Sequence, residues 1–333
     1  MAHLLSVDVE RWPVAGSFTI SRGAKTFVDV VVCTVAEASV TGRGEATAIY
    51  YHGETAEGCA RAITDHCAAL AGRPLTRESV HAAMPRGAAR NALDCALWDL
   101  EAKRSGAPVW QIAGLAEPQP LVSAFTISVN QPAQMERDAR KAVARGFTLL
   151  KCKLTGAEDA ERIAAVRQGA PDARLIVDAN ESWAEWDAAA LMAETARLAA
   201  LGVEMIEQPI RHGDEARLKG LAPVLPYCAD ESCQDSADMP RLVDFPAINI
   251  KLDKAGGLTE ALLLARLAQE QEKRLMLGCM LSTSLGIAPA FLLAQQAEWV
   301  DLDGALLLER DREGGLELID GLLHPGALWG IPG

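Results

Sequence analysis

In roughly the first 115 residues of the chain, apolar residues recur with the spacing of β-strands in some segments and with the spacing of helices in others. Residues 4–14 and 27–35 are rich in valine and alternate in part, which is typical of β-strands. Residues 54–71 and 88–103 instead carry apolar side chains at helical spacing. The polar segment 16–26, which contains two glycines, predicts a mobile loop between the strands. These patterns together predict an α+β domain.

The pattern then changes to short apolar segments that alternate with alanine-rich amphipathic segments. The apolar segments are FTISV, FTLLKCKL, RLIVDAN, EMIEQP, LPYCADES, AINIKL, RLMLGCM and WVDLD, and we expect a helix after each except the last. Parallel strands need such crossover helices, so the pattern predicts eight parallel strands and seven intervening helices.

Polar or chemically notable residues occur at or near the carboxyl ends of these eight strands, about 25 residues apart. They are Thr126, Lys153, Asp178, Glu207, Asp230, Lys251, Cys279 and Asp303. A (β/α)8 barrel brings all eight ends to one face, whereas a doubly wound sheet uses fewer of them. We therefore predict an α/β fold, a modified TIM-like (β/α) barrel with an α+β capping domain. The barrel spans residues 119–304, and residues 1–118, completed by strands in 305–333, form the capping domain.

Composition and charge narrow the class of protein. The 333 residues carry a net charge of −13, which disfavours nucleic acid and anionic membranes as partners. The sequence contains no apolar run of about 18 residues and no signal peptide, so we expect a soluble, cytoplasmic protein. Eight scattered cysteines without a CxxC pair predict free thiols. Motifs of serine hydrolases, P-loop proteins and Rossmann folds are absent.

Three consecutive predicted strands end in carboxylates, namely Asp178 in VDAN, Glu207 in IEQP and Asp230 in ADES. A single acidic residue after a strand is commonly a helix cap, but three at one barrel mouth would repel each other unless a cation lay between them. Oxygen ligands without a nearby Cys or His suit a hard cation. The sequence therefore predicts a Mg²⁺ site.

Lysines occupy two further strands of the predicted barrel. Lys151 and Lys153 lie two positions apart on one strand and face the same way, into the barrel. Lys251 ends the strand four positions further round, opposite Lys153 across the metal. Lys254 is an alternative base, but we expect it to lie in a solvated loop. Burial and the like charge of the neighbouring lysine should lower the pKa of Lys151 or Lys153 towards the range of a general base.

This arrangement indicates a reaction class. A metal that holds a carboxylate acidifies the neighbouring Cα–H by stabilising an enediolate, and Mg²⁺ with a lysine base is the pattern of the enolase superfamily. One base suffices for an elimination. Two bases on opposite faces can remove the proton on one side and return it on the other, which inverts the centre.

The chain resembles the muconate-lactonizing subgroup of the enolase superfamily over nearly its whole length. The resemblance rests on ARNALDCALWDLEAK, KCK, VDAN, IEQP, ADES, NIKLDKAGG, GCMLSTSLG and DLDG. It implies that Lys153 and Lys251 are the acid/base pair, that Lys151 contacts the substrate carboxylate and that Asp178, Glu207 and Asp230 bind Mg²⁺. Ser282 stands where many members have Glu, which weakens a muconate cycloisomerase or succinylbenzoate synthase assignment.

Asp301 and Asp303 alternate in DLDG, and this pair resembles that of the dipeptide epimerases, where it holds the substrate's N-terminal amine. Helix capping or a salt bridge is the alternative. Arg22 resembles the arginine with which Ala-Glu epimerases hold the distal carboxylate of Glu, although a solvated loop arginine would look the same. Thr126 is a further candidate for substrate binding.

The function that the resemblance implies is epimerisation of the C-terminal residue of a dipeptide, and the first candidate substrate is L-Ala-D/L-Glu. The resemblance places this activity in the recycling of peptidoglycan peptides. An N-acylamino acid racemase or o-succinylbenzoate synthase is the alternative within the family, and a non-catalytic barrel protein is a remote one. The sequence leaves open which lysine serves which epimer, whether residues 16–26 close over the substrate and whether the protein is a homo-oligomer.

Overall fold

The computed structural model describes residues 1–20, 23–70 and 72–332 of the chain. Its N-terminal part is a three-stranded antiparallel sheet, and four helices follow this sheet in the sequence. The strands are β1 (His3–Ile20), β2 (Gly23–Glu37) and β3 (Val40–Thr47), and the helices are α1 (Ala56–Ala69), α2 (Arg77–Ala83), α3 (Ala88–Ser105) and α4 (Val109–Ile112). Helix α3 packs closely on β3, because Gly42 and Gly44 carry no side chain against its backbone.

Segment 16–26 differs from the loop that the sequence predicts. Its described residues continue β1 and β2 as a paired hairpin, with Phe18 opposite Lys25. The start of β2 is exposed on both faces, so its side chains need no alternation of apolar and polar residues. The prediction of a loop was therefore wrong for these residues.

Eight parallel strands follow and pair in chain order, which confirms the predicted barrel. They are β4 (Phe125–Ile127), β5 (Leu149–Lys153), β6 (Arg174–Asp178), β7 (Val203–Glu207), β8 (Tyr227–Ala229), β9 (Ala247–Ile250), β10 (Arg274–Gly278) and β11 (Trp299–Asp301). The first and last strands approach each other, since Ala124 N donates to Val300 O at 2.7 Å. The barrel is thus nearly closed.

Five of the seven connections between barrel strands contain α-helices, and all of these connections lie in described residues. The helices are α5 (Pro132–Ala144), α6 (Asp159–Gly169), α7 (Ala188–Ala200), α8 (Leu252–Ala255), α9 (Leu258–Glu270) and α10 (Ser284–Ala294). The prediction of seven helical connections was wrong for the two that flank β8, which contain only the 3₁₀ turns Glu215–Leu218 and Ser236–Arg241. Gly213 and Gly220 with positive φ bracket the first turn, and Pro240 lies inside the second.

The interior of the barrel is filled by one residue from each strand or its immediate start. These residues are Ala124, Leu149, Ile176, Met205, Cys228, Ala247, Met276 and Trp299. A larger apolar cluster lies between the barrel and its helices. Within the described residues, we find no helix with the length and hydropathy to cross a bilayer.

Residues after the barrel return to the N-terminal sheet. Leu308 forms an isolated antiparallel bridge with Val14, and the hairpin β12 (Glu317–Ile319) and β13 (Leu322–His324) follows. Arg312 Nη2 lies 2.8 Å from Oε2 of Glu45, a buried residue of β3. This ion pair joins the C-terminal segment to the N-terminal sheet.

Candidate active site

The buried layer inside the barrel determines which side chains reach the carboxyl ends of the strands. Because side chains alternate along a strand, the residues two positions after each layer residue also face inward. These residues are Thr126, Lys151, Asp178, Glu207, Asp230, Asn249, Gly278 and Asp301. Two positions further on lie Lys153, Lys251 and Asp303. The barrel thus brings nine of the ten site residues predicted from the sequence to one face.

The carboxylates of Asp178, Glu207 and Asp230 form one buried cluster. One oxygen from each lies within 4.8 Å of the others. All three side chains are buried, and all three offer only oxygen, which is the donor set that a hard divalent cation takes. The three residues therefore fit a Mg²⁺ ion.

The lysines and carboxylates of this cluster set one another's ionisation. Burial and the nearby Asp178 raise the pKa of Glu207 to about 8. Burial also opposes ionisation of Asp178, but the ammonium groups of Lys153 and Lys151 hold its pKa below the usual range. Three carboxylates in one place thus do not ionise independently, and a positive charge among them is favoured.

Lys151 lies at the centre of the cluster. Its ammonium group is 2.6 Å from Glu207 Oε2, 2.7 Å from Asp301 Oδ2 and 3.2 Å from Asp178 Oδ2. It therefore lies between the predicted metal ligands and the DLDG segment.

The two lysines predicted as the base pair lie on β5 and directly after β9, four strands apart in the barrel. Lys153 Nζ is 2.6 Å from Asp178 Oδ2, and Lys251 Nζ is 2.6 Å from Asp230 Oδ2. The expected fall in lysine pKa was wrong for Lys151. Burial favours its neutral form, but the carboxylates of Asp301 and Glu207 outweigh burial and raise its pKa. The pKa of Lys251 is raised in the same way, by Asp230 and Glu207 against burial.

Lys254 differs from the sequence prediction, which put it in solvent. Its side chain is fully buried, and its ammonium group donates to Asp230 Oδ1 at 2.5 Å and to the carbonyls of Cys233 and Asn249. These partners hold the group outside the cavity, whose lining does not include Lys254. The geometry does not favour Lys254 as a base.

Asp301 and Asp303 both line the cavity at the barrel mouth, together with Thr126. Asp303 Oδ2 accepts a hydrogen bond from Thr126 N at 2.7 Å. Burial and the neighbouring Asp301 raise the pKa of Asp303 to about 7. Asp301 Oδ1 is buried and has no hydrogen-bond partner among the described residues. This end of the cavity can accept a cation.

The cavity, of about 360 Å³, lies between the barrel mouth and the N-terminal sheet. Arg22 falls outside the described residues, so its predicted contact is untested. The cation of β2 that lines the cavity is Lys25, which sequence reasoning missed. Its ammonium group lies 4.7 Å from the ring centroid of Tyr50 and, among the described residues, forms no ion pair. Burial lowers the pKa of Lys25.

Two other residues acquire roles from the geometry. Asn249 Nδ2 donates to Glu207 Oε1 at 2.7 Å, and its spacing of two from Lys251 could have revealed it. Ser282, which stands where many family members have Glu, donates to Glu45 Oε1 at 2.9 Å. It joins the barrel to the N-terminal sheet.

Comparison with known proteins identifies relatives of the chain. It is 43% identical over 321 residues to the L-Ala-D/L-Glu epimerase of Escherichia coli, covering 96% of this chain and 99% of that one. It is 44% identical over 250 residues to an N-acetyl-D-glutamate racemase of Pseudoalteromonas, covering 74% and 78% respectively.

A solved structure from Agrobacterium tumefaciens has the same fold, with a TM-score of 0.93, 45% identity and coverage of 99% of this chain and 100% of that one. It is described as an enolase family member with homology to dipeptide epimerases, with bound sodium, L-Ala-L-Glu and an ordered loop. Residues 3–114 match the mandelate racemase/muconate lactonizing enzyme N-terminal domain, and residues 134–330 match the enolase C-terminal domain-like family. The resemblance noted in the sequence is thereby confirmed: the chain belongs to the mandelate racemase/muconate lactonizing enzyme family of the enolase superfamily.

Proposed function

We propose that the protein is a Mg²⁺-dependent dipeptide epimerase that inverts the Cα of the C-terminal residue, with L-Ala-D/L-Glu as the first candidate substrate. The observation that carries this proposal is the pair of lysines on strands four apart, each touching a different carboxylate of one buried triad. The identity to an L-Ala-D/L-Glu epimerase over nearly the whole chain supports the same activity.

Asp178, Glu207 and Asp230 would hold the metal. When bound, Mg²⁺ supplies positive charge that acidifies the Cα–H beside a substrate carboxylate and that competes with the lysines for the three carboxylates. Lys151, between the triad and the DLDG segment, would bind the substrate carboxylate. One of Lys153 and Lys251, in its neutral form, takes the proton from Cα, and the other, as an ammonium, returns a proton to the opposite face.

The two ends of the cavity carry opposite charge. Asp301 and Asp303 would bind the free amine of the N-terminal residue, and their buried oxygens favour a cation over a neutral amide. Lys25 lies at the side of the N-terminal sheet and would meet an anionic side chain on the residue that is inverted. A dipeptide ending in Glu offers an ammonium group to the two aspartates and a side-chain carboxylate to Lys25.

An N-acylamino acid racemase is the second candidate, because the chain is also 44% identical to an N-acetyl-D-glutamate racemase over three quarters of its length. Such a substrate shares the Glu moiety but has no ammonium group for the two aspartates. The charge of the amine end therefore distinguishes the two activities.

The testing experiment follows exchange of the α-proton in D₂O by NMR for L-Ala-L-Glu, L-Ala-D-Glu and N-acetylglutamate. We expect exchange and epimerisation of the dipeptides with Mg²⁺ present, and loss of both after chelation. Faster turnover of N-acetylglutamate would replace the epimerase assignment by the racemase. Full activity in excess chelator would contradict the metal site. An epimerase of this specificity would act in the cytoplasm on peptides released from peptidoglycan.

A further inference from the structure

Gly278, the last residue of β10, lies beside Lys251. Strand β10 pairs in parallel with β9 so that Leu277 is opposite Ile250, which puts Gly278 next to Lys251. On its other side Gly278 is opposite Asp301 of β11. Gly278 is also two positions after Met276 of the inner layer, so a side chain there would face the cavity.

A side chain at this position would collide with the residues around it. A Cβ built on Gly278 would lie 2.9 Å from Lys251 Cε and 2.8 Å from both polar atoms of the Asn249 amide. The φ of Gly278 is outside the left-handed region, so its backbone would accept alanine. Position 278 therefore requires glycine because there is no room for a Cβ, and not because of its backbone conformation.

Of the two neighbours, Lys251 has the longer and more flexible side chain, and the contact is at its Cε, so Lys251 is the one that yields. The Asn249 amide is held by its 2.7 Å hydrogen bond to Glu207, and moving it would disturb a carboxylate of the triad. The Lys251 side chain is held at its far end, by the 2.6 Å contact with Asp230. An added methyl group at position 278 would therefore displace the Lys251 ammonium and leave Lys153, four strands away, in place.

We infer that Gly278 is a positioning residue for Lys251, and that the absence of a side chain there gives the protein its second base. This inference rests on the proposed function. Its consequence is that one methyl group at position 278 should convert a two-sided epimerase into an enzyme that exchanges the α-proton of one epimer only.

The test compares Gly278→Ala with Lys251→Ala and Lys153→Ala, by following α-proton exchange of L-Ala-L-Glu and L-Ala-D-Glu separately in D₂O. Because a displacement of about 1 Å can cost about a hundredfold in rate, Gly278→Ala should slow exchange of one epimer to that extent. The affected epimer should be the one that Lys251→Ala also affects. Exchange of the other epimer should stay within about threefold of wild type, which also controls for folding.

Mg²⁺ affinity, measured by calorimetry, shows whether the added methyl group displaces Lys251 or Asn249. We expect Gly278→Ala to bind Mg²⁺ like the wild type, because Asn249 and Glu207 keep their contact. Equal slowing of both epimers, or weakened Mg²⁺ binding, would show that the methyl group disturbs Asn249 or the whole site, and would overturn the inference. If the wild-type protein exchanges neither epimer, the proposed function fails instead.

Discussion

Lys254 Nζ lies 2.5 Å from Asp230 Oδ1, and Lys251 Nζ lies 2.6 Å from the other oxygen of the same carboxylate, Oδ2. Asp230 is thus held between two buried ammonium groups, which keep its pKa well below the usual range although burial opposes ionisation. Of these two lysines, Lys251 lines the cavity and Lys254 does not. The two lysines therefore differ in what they do for the same carboxylate.

We predict that Lys254→Met destabilises the fold, because Asp230 Oδ1 and the carbonyls of Cys233 and Asn249 lose the ammonium group that donates to them. Removing one partner of a buried ion pair costs about 3–5 kcal/mol. Urea denaturation should show this loss. Lys251→Met should lose less, because the Lys251 ammonium has one hydrogen-bond partner, Asp230, among the described residues. Equal midpoints for Lys254→Met and the wild type would contradict the structural role.

Lys153→Ala and Lys251→Ala should each abolish epimerisation, because inversion needs a base on both faces of Cα. General acid–base groups contribute about 10²–10⁴-fold, so turnover should fall by at least about a hundredfold in each variant. Each variant should still exchange the proton of the epimer that faces its remaining lysine. Wild-type epimerisation in either one would exclude the two-base mechanism.

Asp303 should give dipeptide turnover a pH dependence. Its pKa is raised to about 7, and only the ionised form attracts an ammonium group. The kcat/KM for L-Ala-L-Glu should therefore fall as the pH drops through about 7, whereas that for N-acetylglutamate should change less through this group. Asp303→Asn should lower kcat/KM for L-Ala-L-Glu at pH 8. It should also remove the fall in kcat/KM that Asp303 causes as the pH drops through about 7. An unchanged profile in Asp303→Asn would assign the titration to another group.

Lys25→Met should lower kcat/KM for dipeptides ending in Glu by about tenfold or more, the range of a lost charge-assisted hydrogen bond. Dipeptides ending in Leu should be affected much less, because they offer no carboxylate to Lys25. The measurement is the ratio of kcat/KM for L-Ala-L-Glu and L-Ala-L-Leu. The comparison variant is Arg22→Ala: if it alone shifts the ratio, recognition of the distal carboxylate belongs to Arg22.

The sequence predicts the barrel and its inward-facing residues because both depend on short-range patterns: the alternation of strands with helices, and the alternation of side chains along each strand. Spacing of two along each strand links the inner layer to Lys151, Asp178 and Glu207, and the structure keeps that register. The buried position of Lys254 could not be predicted, since its partners Asp230 and the carbonyl of Cys233 belong to the segment after β8, more than 20 residues earlier in the chain. The hairpin around Lys25 was missed because the start of β2 is mostly exposed and gives no alternating pattern.

The contact between Glu45 and Arg312 joins residues 267 positions apart in the chain. During synthesis, the N-terminal sheet therefore emerges long before the arginine that compensates its buried carboxylate. In a chain that stops just before residue 312, Glu45 would keep its hydrogen bonds from Ser282 and Thr283 but would lose its ion pair, at a cost of about 3–5 kcal/mol. Folding of the N-terminal sheet should thus be completed late, and any transplant of it onto another barrel must carry the segment around Arg312 with it.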